Sequence, residues 1–453
     1  MINNININSR EVAMEAIYKI FVDNSYNNII LKNILKQNGA MCLSDKAFVT
    51  EVVNGTLRNI YYIDYVINSF SNTKVEKIKP WLLAILRISI YQILFMDRIP
   101  NFAVCDEAVK LTKLKGYKRL SGFVNGVLRN ISRNTNNINL PEYRTLEYLN
   151  IKYSFPMWLI KMWCCEYDYD FVESLCRTSN MAPDVTIVVN KLKTNVEILK
   201  RELEIDNILI ENSKNNKNIL HIKKTSDITK LSSFKKGYFH IQDESSFIAV
   251  EALNPQKGDK ILDVCSAPGG KSILCAEFMD NKGLIISRDI YEHKLDLIKE
   301  SINRLGIEII KLEKKDALNY YENDFESFDK VIVDVPCSGF GIVRKKPDIK
   351  FRRTGNDIDE LIKIQRIILE NASKYVKKGG TLLYTTCTIC KKENIKNVDW
   401  FLQNFDFEQC NLSNINDKIY KNFDINYENE KCLTLYPNIN NTDGFFISKF
   451  IKK

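Results

Sequence analysis

A chain of 453 residues with 45% hydrophobic and 27% charged residues has the composition of a soluble globular protein and is too long for one typical core. No apolar run approaches the roughly 18–20 residues that span a bilayer, and Met1-Ile2-Asn3-Asn4 lacks the basic-then-apolar pattern of a secretory leader. The net charge of +9 favours an acidic partner, and twelve cysteines without a leader are expected as reduced thiols in the cytoplasm.

Residues 9–135 read as almost all helix. Val12, Ala13, Ala16, Ile17, Ile20 and Phe21 recur at helical spacing, as do Phe48, Val52, Val53 and Leu57, and then Trp81, Leu82, Ile85, Leu86 and Ile88. Pro80 suits a first helical turn, and Pro100 ends the segment that closes on Met96-Asp97-Arg98. Further helices are expected over 104–114 and 123–130. This bundle shows no catalytic constellation. The Asn-rich stretch 130–141 marks a boundary, so a first domain is read over 1–135.

The next segment, 142–235, has a weaker pattern. Helices around 158–166 and 170–179 lead to an apolar strand over 185–189, a helix over 195–203 and a short strand over 219–222. The result is a small α+β module whose alternation suits RNA-recognition-like folds and plain structural packing equally.

From 236 to 453 the pattern becomes regular strand–helix alternation. Strands are expected over 260–264, 284–287, 308–312, 330–335, 381–385 and 445–450, with helices over 271–279, 292–305, 358–376 and 391–402. Such repeating units predict an open, mainly parallel, doubly wound sheet, an α/β domain. The first strand runs into Cys265-Ser266-Ala267-Pro268-Gly269-Gly270-Lys271, where a glycine pair lets backbone approach a ligand. The spacing is not that of a dinucleotide fingerprint.

Charge separates the candidate ligands. Asp289 follows the second strand, Asp316 the third, and Asp334 stands in the fourth-strand loop, so three carboxylates are expected to converge on one crevice. They would repel a pyrophosphate by roughly 4 kcal/mol for a contact near 4 Å at an effective dielectric constant of about 20. A ligand with a sulfonium and an ammonium is attracted instead, and S-adenosylmethionine fits. Asp289 would receive the ribose hydroxyls and Asp316 the adenine amine.

Two thiols sit just past apolar strands: Cys337 in Asp334-Val335-Pro336-Cys337-Ser338-Gly339 and Cys387 in Tyr384-Thr385-Thr386-Cys387-Thr388. Both are expected at strand carboxyl ends, where open α/β sheets place their ligands. Directly after the first loop, Arg344, Lys345, Lys346, Lys350, Arg352 and Arg353 put six cations in ten residues. A solvated face would explain such a run, but its place beside a candidate active site points to phosphate contact. Cys387 and Cys390 form a C-x-x-C pair that no second pair completes, and the three histidines are scattered, so no metal is expected.

These motifs together resemble the RNA cytosine-5 methyltransferase family. The carriers are Asp263-Val264 with the glycine-rich loop, the Asp334–Gly339 and Thr386-Cys387 motifs, Phe239 to Ser246, Asp348-Ile349-Lys350 and Glu393-Asn394. Leu86-Arg87 and Phe123 to Arg129 are similar to NusB-like RNA-binding domains. The combination resembles the bacterial 16S ribosomal RNA methyltransferases of the Sun or Fmu type. Ser266, Phe340 and Lys294 depart from the commoner residues of that family without removing a reacting group.

The resemblance implies a class I, Rossmann-like methyltransferase domain, S-adenosylmethionine as cofactor and ribosomal RNA as partner. It also implies Cys387 as nucleophile, Cys337 as the thiol that assists release, and Asp334 on the N3 and N4 edge of the base. From the residues alone the opposite assignment of the thiols stays open, because DNA cytosine-5 methyltransferases attack from a Pro-Cys motif. Transfer RNA as substrate, or a non-catalytic RNA-binding assembly factor, are the alternatives. Nothing in the sequence signals self-association, so a monomer is expected.

Overall fold

The computed structural model describes residues 8–223, 227–412 and 431–453; the start read for a leader, Met1-Ile2-Asn3-Asn4, lies outside them. The chain divides into two compact units. One joins Met1–Met181 to the short segment Lys345–Arg352, and the other holds Ala182–Arg344 and Arg353–Lys453.

The first unit is helical. The Asn8 side chain accepts the Arg10 and Glu11 N–H groups and so starts helix Ser9–Val22. Pro80 opens helix Pro80–Phe95 at the position where a missing N–H costs nothing. That helix is the hub of the unit. Leu82, Ile85, Leu86, Ile88 and Ile90 are buried in one cluster with Ile17, Val52, Val53, Val124 and Leu128. Its Tyr91 ring fills the space beside Gly55, where a Cβ would stand 1.9 Å from a ring carbon. Helix Ser121–Arg133 runs into the polar stretch read as a boundary, and three more helices, Leu146–Tyr153, Met157–Cys164 and Tyr169–Ser179, belong to the same unit. The division therefore falls at Met181, because these helices bury Leu149, Leu159, Trp163 and Leu175.

Within the segment Lys345–Arg352, Lys350 and Arg352 are turned into the helical unit and do not present the phosphate-contacting face read from the basic run. Lys350 is fully buried, and its ammonium donates to Arg58 O (2.6 Å) and Asn180 Oδ1 (3.0 Å). Arg352 pairs with Asp348 (3.0 Å) and donates to Asn24 Oδ1 (2.9 Å) and the Ser25 carbonyl. Asp348 in turn accepts the Asn27 N–H (3.1 Å), and Phe351 stacks on Phe21. These side chains answer orphan carbonyls of the helical unit, which is why a cationic run can be buried.

The second unit carries two sheets. The smaller contains β1 (Val185–Val189), β2 (Ile210–Asn212), β3 (Ile219–Ile222) and β4 (Phe239–Ile241), all antiparallel in the order β2-β3-β1-β4. Because β4 pairs with β1, this sheet extends past residue 235, where the sequence placed the end of the module. The larger sheet contains β5 (Lys260–Asp263), β6 (Leu284–Asp289), β7 (Ile310–Lys314), β8 (Phe328–Asp334), β9 (Val376–Thr386), β10 (Phe407–Gln409), β11 (Cys432–Leu435) and β12 (Phe445–Lys452).

Its order is β10-β12-β9-β8-β5-β6-β7, with β11 on β12. β5 to β9 are parallel, while β12 runs antiparallel to β9, β10 and β11. The chain builds outward from β5 to β7 and then returns to add β8 on the other side. The carboxyl ends of β5 and β8 thus flank the switch point where such sheets bind ligands.

Burial pushes the Lys350 amine well below its ordinary value. Between its folded and unfolded pKa values the unfolded chain binds more protons, so this group makes stability rise with pH toward about 10.4. Urea unfolding at pH 7 and pH 9 should therefore show a larger gain for the wild type than for Lys350→Met. Equal gains would mean that the lysine is not buried in solution.

Candidate active site

The site begins with the turn after β5. Gly269 has φ +97°, a conformation that favours glycine, and a Cβ on Gly270 would stand 1.9 Å from Gln242 Oε1. The backbone conformation favours glycine at 269, and at 270 a side chain would have to displace the Gln242 amide. The turn is tied down when the Ser266 N–H and hydroxyl both donate to Arg288 O (2.8 and 3.0 Å) and the Gly269 N–H donates to Ser266 O (2.6 Å). Asp263, at the end of β5, accepts the Ser272 hydroxyl (2.7 Å), which itself accepts that of Ser287 (2.7 Å). Burial pushes Asp263 up to about 7, with the Ser272 hydrogen bond opposing it.

Helix Gly270–Phe278 starts one residue before Lys271, whose buried ammonium reaches Asp334 Oδ2 at 2.6 Å. Burial lowers this lysine, but the Asp334 charge and hydrogen bond outweigh it and hold the ammonium above its ordinary value. Asp334 Oδ1 accepts the Thr385 hydroxyl at 2.8 Å, so the carboxylate is clamped from two sides.

The two thiols meet beyond the strand ends. Asp334 of β8 pairs with Thr385 of β9 across the sheet, and a few residues on, Cys337 Sγ lies 3.2 Å from Cys387 Sγ. The hydrogen bond with Cys387 and burial push the Cys337 thiol well above its usual range, so it stays protonated.

A buried polar brace fixes both loops. Glu393 accepts the Ser338 N–H (2.8 Å), the Ser338 hydroxyl (2.5 Å) and Gln365 Nε2 (2.9 Å), while burial raises its pKa. Thr388 donates its hydroxyl to Ser338 (2.7 Å), and Asn394 joins the Thr386 hydroxyl (2.6 Å) to the Thr388 carbonyl (2.9 Å). The Gly341 N–H donates to Cys387 O (3.0 Å), and a Cβ there would stand 1.8 Å from Gly444 O.

A cavity of about 190 Å³ is lined by Ser266, Ala267, Pro268, Gly270, Lys271, Asp334 and Cys387, all expected from the sequence. Cys337 reaches it through Cys387, and Cys265 and Gly269 shape the turn behind it. Asp289 and Asp316 do not line this cavity, which holds only the third of the expected carboxylates, Asp334. Asp289 accepts the Tyr291 N–H on Oδ1 (3.0 Å) at the end of β6, and Asp316 lines a separate cavity of about 10 Å³ with Val264, Asn319 and Tyr321. Asp263, Asp334 and Asp443 are the carboxylates that line this crevice.

Of the six cations, Arg344 is buried and donates to Asn441 Oδ1 (3.3 Å), whereas Lys345 and Lys346 are exposed and Arg353 half-buried. Sequence reasoning did not assign Gln242, Ser245, Ser246, Asp443 and Phe445 to this wall. The first three belong to a peptide already singled out as a motif, which was the available signal. Asp443 and Phe445 carried none. Among the described residues no cluster of His, Cys, Asp or Glu could hold a metal, and no helix is long and apolar enough to cross a membrane.

Comparison with known proteins places this geometry. Residues 250–451 match the family model described as 16S rRNA methyltransferase RsmB/F, residues 7–133 the NusB family, and residues 155–229 the ferredoxin-like domain of RsmF/B-like methyltransferases. The chain is 38% identical to the probable ribosomal RNA small subunit methyltransferase B of Bacillus subtilis over 98% of each chain. It belongs to the RsmB/F methyltransferase family. Another member-like relative, ribosomal RNA small subunit methyltransferase B of Proteus mirabilis, is 28% identical over 98% of this chain and 99% of that one. The crystal structure of PH0851 is similar with a TM-score of 0.81 at 29% identity, covering 98% of this chain and 99% of that one. The family's domain series of NusB-like bundle, ferredoxin-like sheet and α/β methyltransferase sheet accounts for the order of elements along the chain.

The high Asp263 pKa has a measurable consequence. A carboxyl held near 7 when folded, against about 3.9 when unfolded, makes the fold lose stability as pH rises from about 4 to 7. Asp263→Asn removes that decline. Urea unfolding at pH 5 and pH 7.5 should give a smaller difference for the variant than for the wild type, and an equal difference would contradict the burial of the charge.

Proposed function

We propose that this protein transfers a methyl group from S-adenosylmethionine to C5 of a cytosine in 16S ribosomal RNA, with Cys387 as the attacking thiolate. The observation that carries this reading is the 3.2 Å approach of two cysteine thiols beside a clamped aspartate in one crevice. Few reactions need two thiols there. The relatives' names, ribosomal RNA small subunit methyltransferase B, support the substrate.

The residues fit the cofactor. The glycine turn leaves backbone accessible, and the Asp334 carboxylate in the cavity wall suits a cationic ligand. The Ser266–Lys271 turn would hold it, with Asp289 toward the ribose hydroxyls and Asp316 toward the adenine. When bound, it supplies an electrophilic methyl group.

The chain's own side chains do the rest. The Cys387 thiolate adds to C6 of the cytosine and makes C5 nucleophilic. Cys337, kept protonated, donates to the Cys387 sulfur; after C5 has taken the methyl group, solvent water takes the C5 proton, the C6–sulfur bond breaks, and Cys387 leaves as a thiolate that again accepts the Cys337 hydrogen bond. Asp334 presents its carboxylate to the N3 and N4 edge, and Lys271 and Thr385 keep it in place. The target base must leave its stack to reach this depth.

The test is trapping. Incubated with 16S RNA and labelled S-adenosylmethionine, Cys337→Ala should accumulate a denaturant-resistant protein–RNA adduct. Cys387→Ala should form none and transfer no label. An adduct from Cys387→Ala alone would exchange the two roles, and labelled methyl at a position other than C5 would overturn the chemistry.

A further inference from the structure

A groove of about 560 Å³ opens where the first turn of helix Val196–Ile205 faces the loop joining β2 to β3. Lys200, Lys214 and Lys217 line it, together with Asn212, Asn216 and Asn218. Lys214 and Lys217 are exposed and Lys200 half-buried. Among the described residues none of the three has an ion-pair partner, although Glu197 also lines the groove. On the same small sheet Lys223 is paired twice, with Asp184 and Glu211, each at 2.7 Å. The groove lysines are thus left uncompensated where a neighbour is not.

The loop bearing them is built rather than loose. Glu244, 5% exposed, accepts the Ser213 hydroxyl (2.9 Å) and Asn215 Nδ2 (2.8 Å). The Ser213 oxygen accepts the Asn215 and Asn216 N–H groups (3.1 and 3.3 Å), and Asn216 Oδ1 accepts the Asn218 N–H (2.9 Å). Glu244 stands between Gln242 and Ser245, both in the wall of the catalytic cavity. One short peptide therefore braces the lysine loop and the active site at once.

We infer that this groove binds the phosphate–sugar backbone of the RNA substrate, away from the reacting base. Ammonium groups meet phosphates as point charges, and asparagine amides can both donate to phosphate oxygens and exchange hydrogen bonds with ribose hydroxyls. The lining has no aromatic ring on which a base could stack, so the contact is with backbone and not with sequence. The inference rests on the ribosomal RNA methyltransferase reading above.

The test uses the full chain with Lys200→Gln, Lys214→Gln and Lys217→Gln combined, and as a second variant Lys214→Gln with Lys217→Gln only. Binding of a 16S RNA transcript is measured across a KCl series, and S-adenosylhomocysteine binding by calorimetry reports an intact catalytic unit. The triple variant should keep its S-adenosylhomocysteine affinity, bind RNA roughly tenfold or more weakly, and lose about two from the slope of log K against log salt, with the double variant between. At saturating RNA its kcat should equal that of the wild type, so that the loss appears in KM. RNA affinity and salt slope unchanged in either folded variant, with the wild type active, would overturn this inference alone. A wild type that binds S-adenosylhomocysteine but not 16S RNA would overturn the substrate reading and this inference with it.

Discussion

The parallel pairing of β8 with β9 is the constraint on which the site depends. It sets Asp334 opposite Thr385, and each strand then runs on by only two or three residues before its cysteine. A slip of one residue would turn either thiol to the opposite face of the sheet. Because both strands are buried on both faces, the register is fixed by core packing of Val331, Val333, Leu382 and Tyr384 rather than by the site itself. The chemistry thus inherits its geometry from hydrophobic burial, the larger energy.

Strand ends alone would leave two loops free to part, and a polar network prevents it. Glu393, Gln365, Asn394 and Asn397 are all buried and hydrogen-bonded among Pro336, Ser338, Tyr384, Thr386 and Thr388. Buried polar groups are costly when unpaired and restrictive when paired, so this arrangement admits few alternatives. Within it the electrostatics divide the labour. Lys271 keeps its charge through its contact with Asp334, whereas the hydrogen bond with Cys387 and burial keep Cys337 neutral, and burial lifts Asp263 toward neutrality.

The basic run after the Cys337 loop shows how charge patterns mislead. Read along the chain it is a stripe for phosphate. Folded, Lys350 and Arg352 answer backbone carbonyls of the helical unit, and Arg344 is buried beside Asn441. Lys200, Lys214 and Lys217, which among the described residues have no ion-pair partner, are instead scattered in sequence and gathered only by a hairpin and a helix turn. Exposure and pairing, which decide whether a cation can meet phosphate, are properties of the tertiary structure.

Local periodicity sufficed for the helical bundle, the strands 185–189 and 219–222, and the βα order of the last domain, because apolar spacing reports which face of an element is buried. The glycine turn and the two cysteine motifs were equally legible, since their residue types are demanded by backbone conformation or by chemistry at fixed positions. Long-range pairing was not. That β4 joins the smaller sheet, that β12 runs antiparallel into the larger one, and that Asp443 and Phe445 close the catalytic wall follow from contacts between residues far apart in sequence. The division at Met181 and the burial of Lys350 are of the same kind. The sequence by itself determined the elements and the candidate thiols and glycine turn; the tertiary structure decided which carboxylates share the crevice and which cations are buried, because both depend on burial that no local pattern encodes.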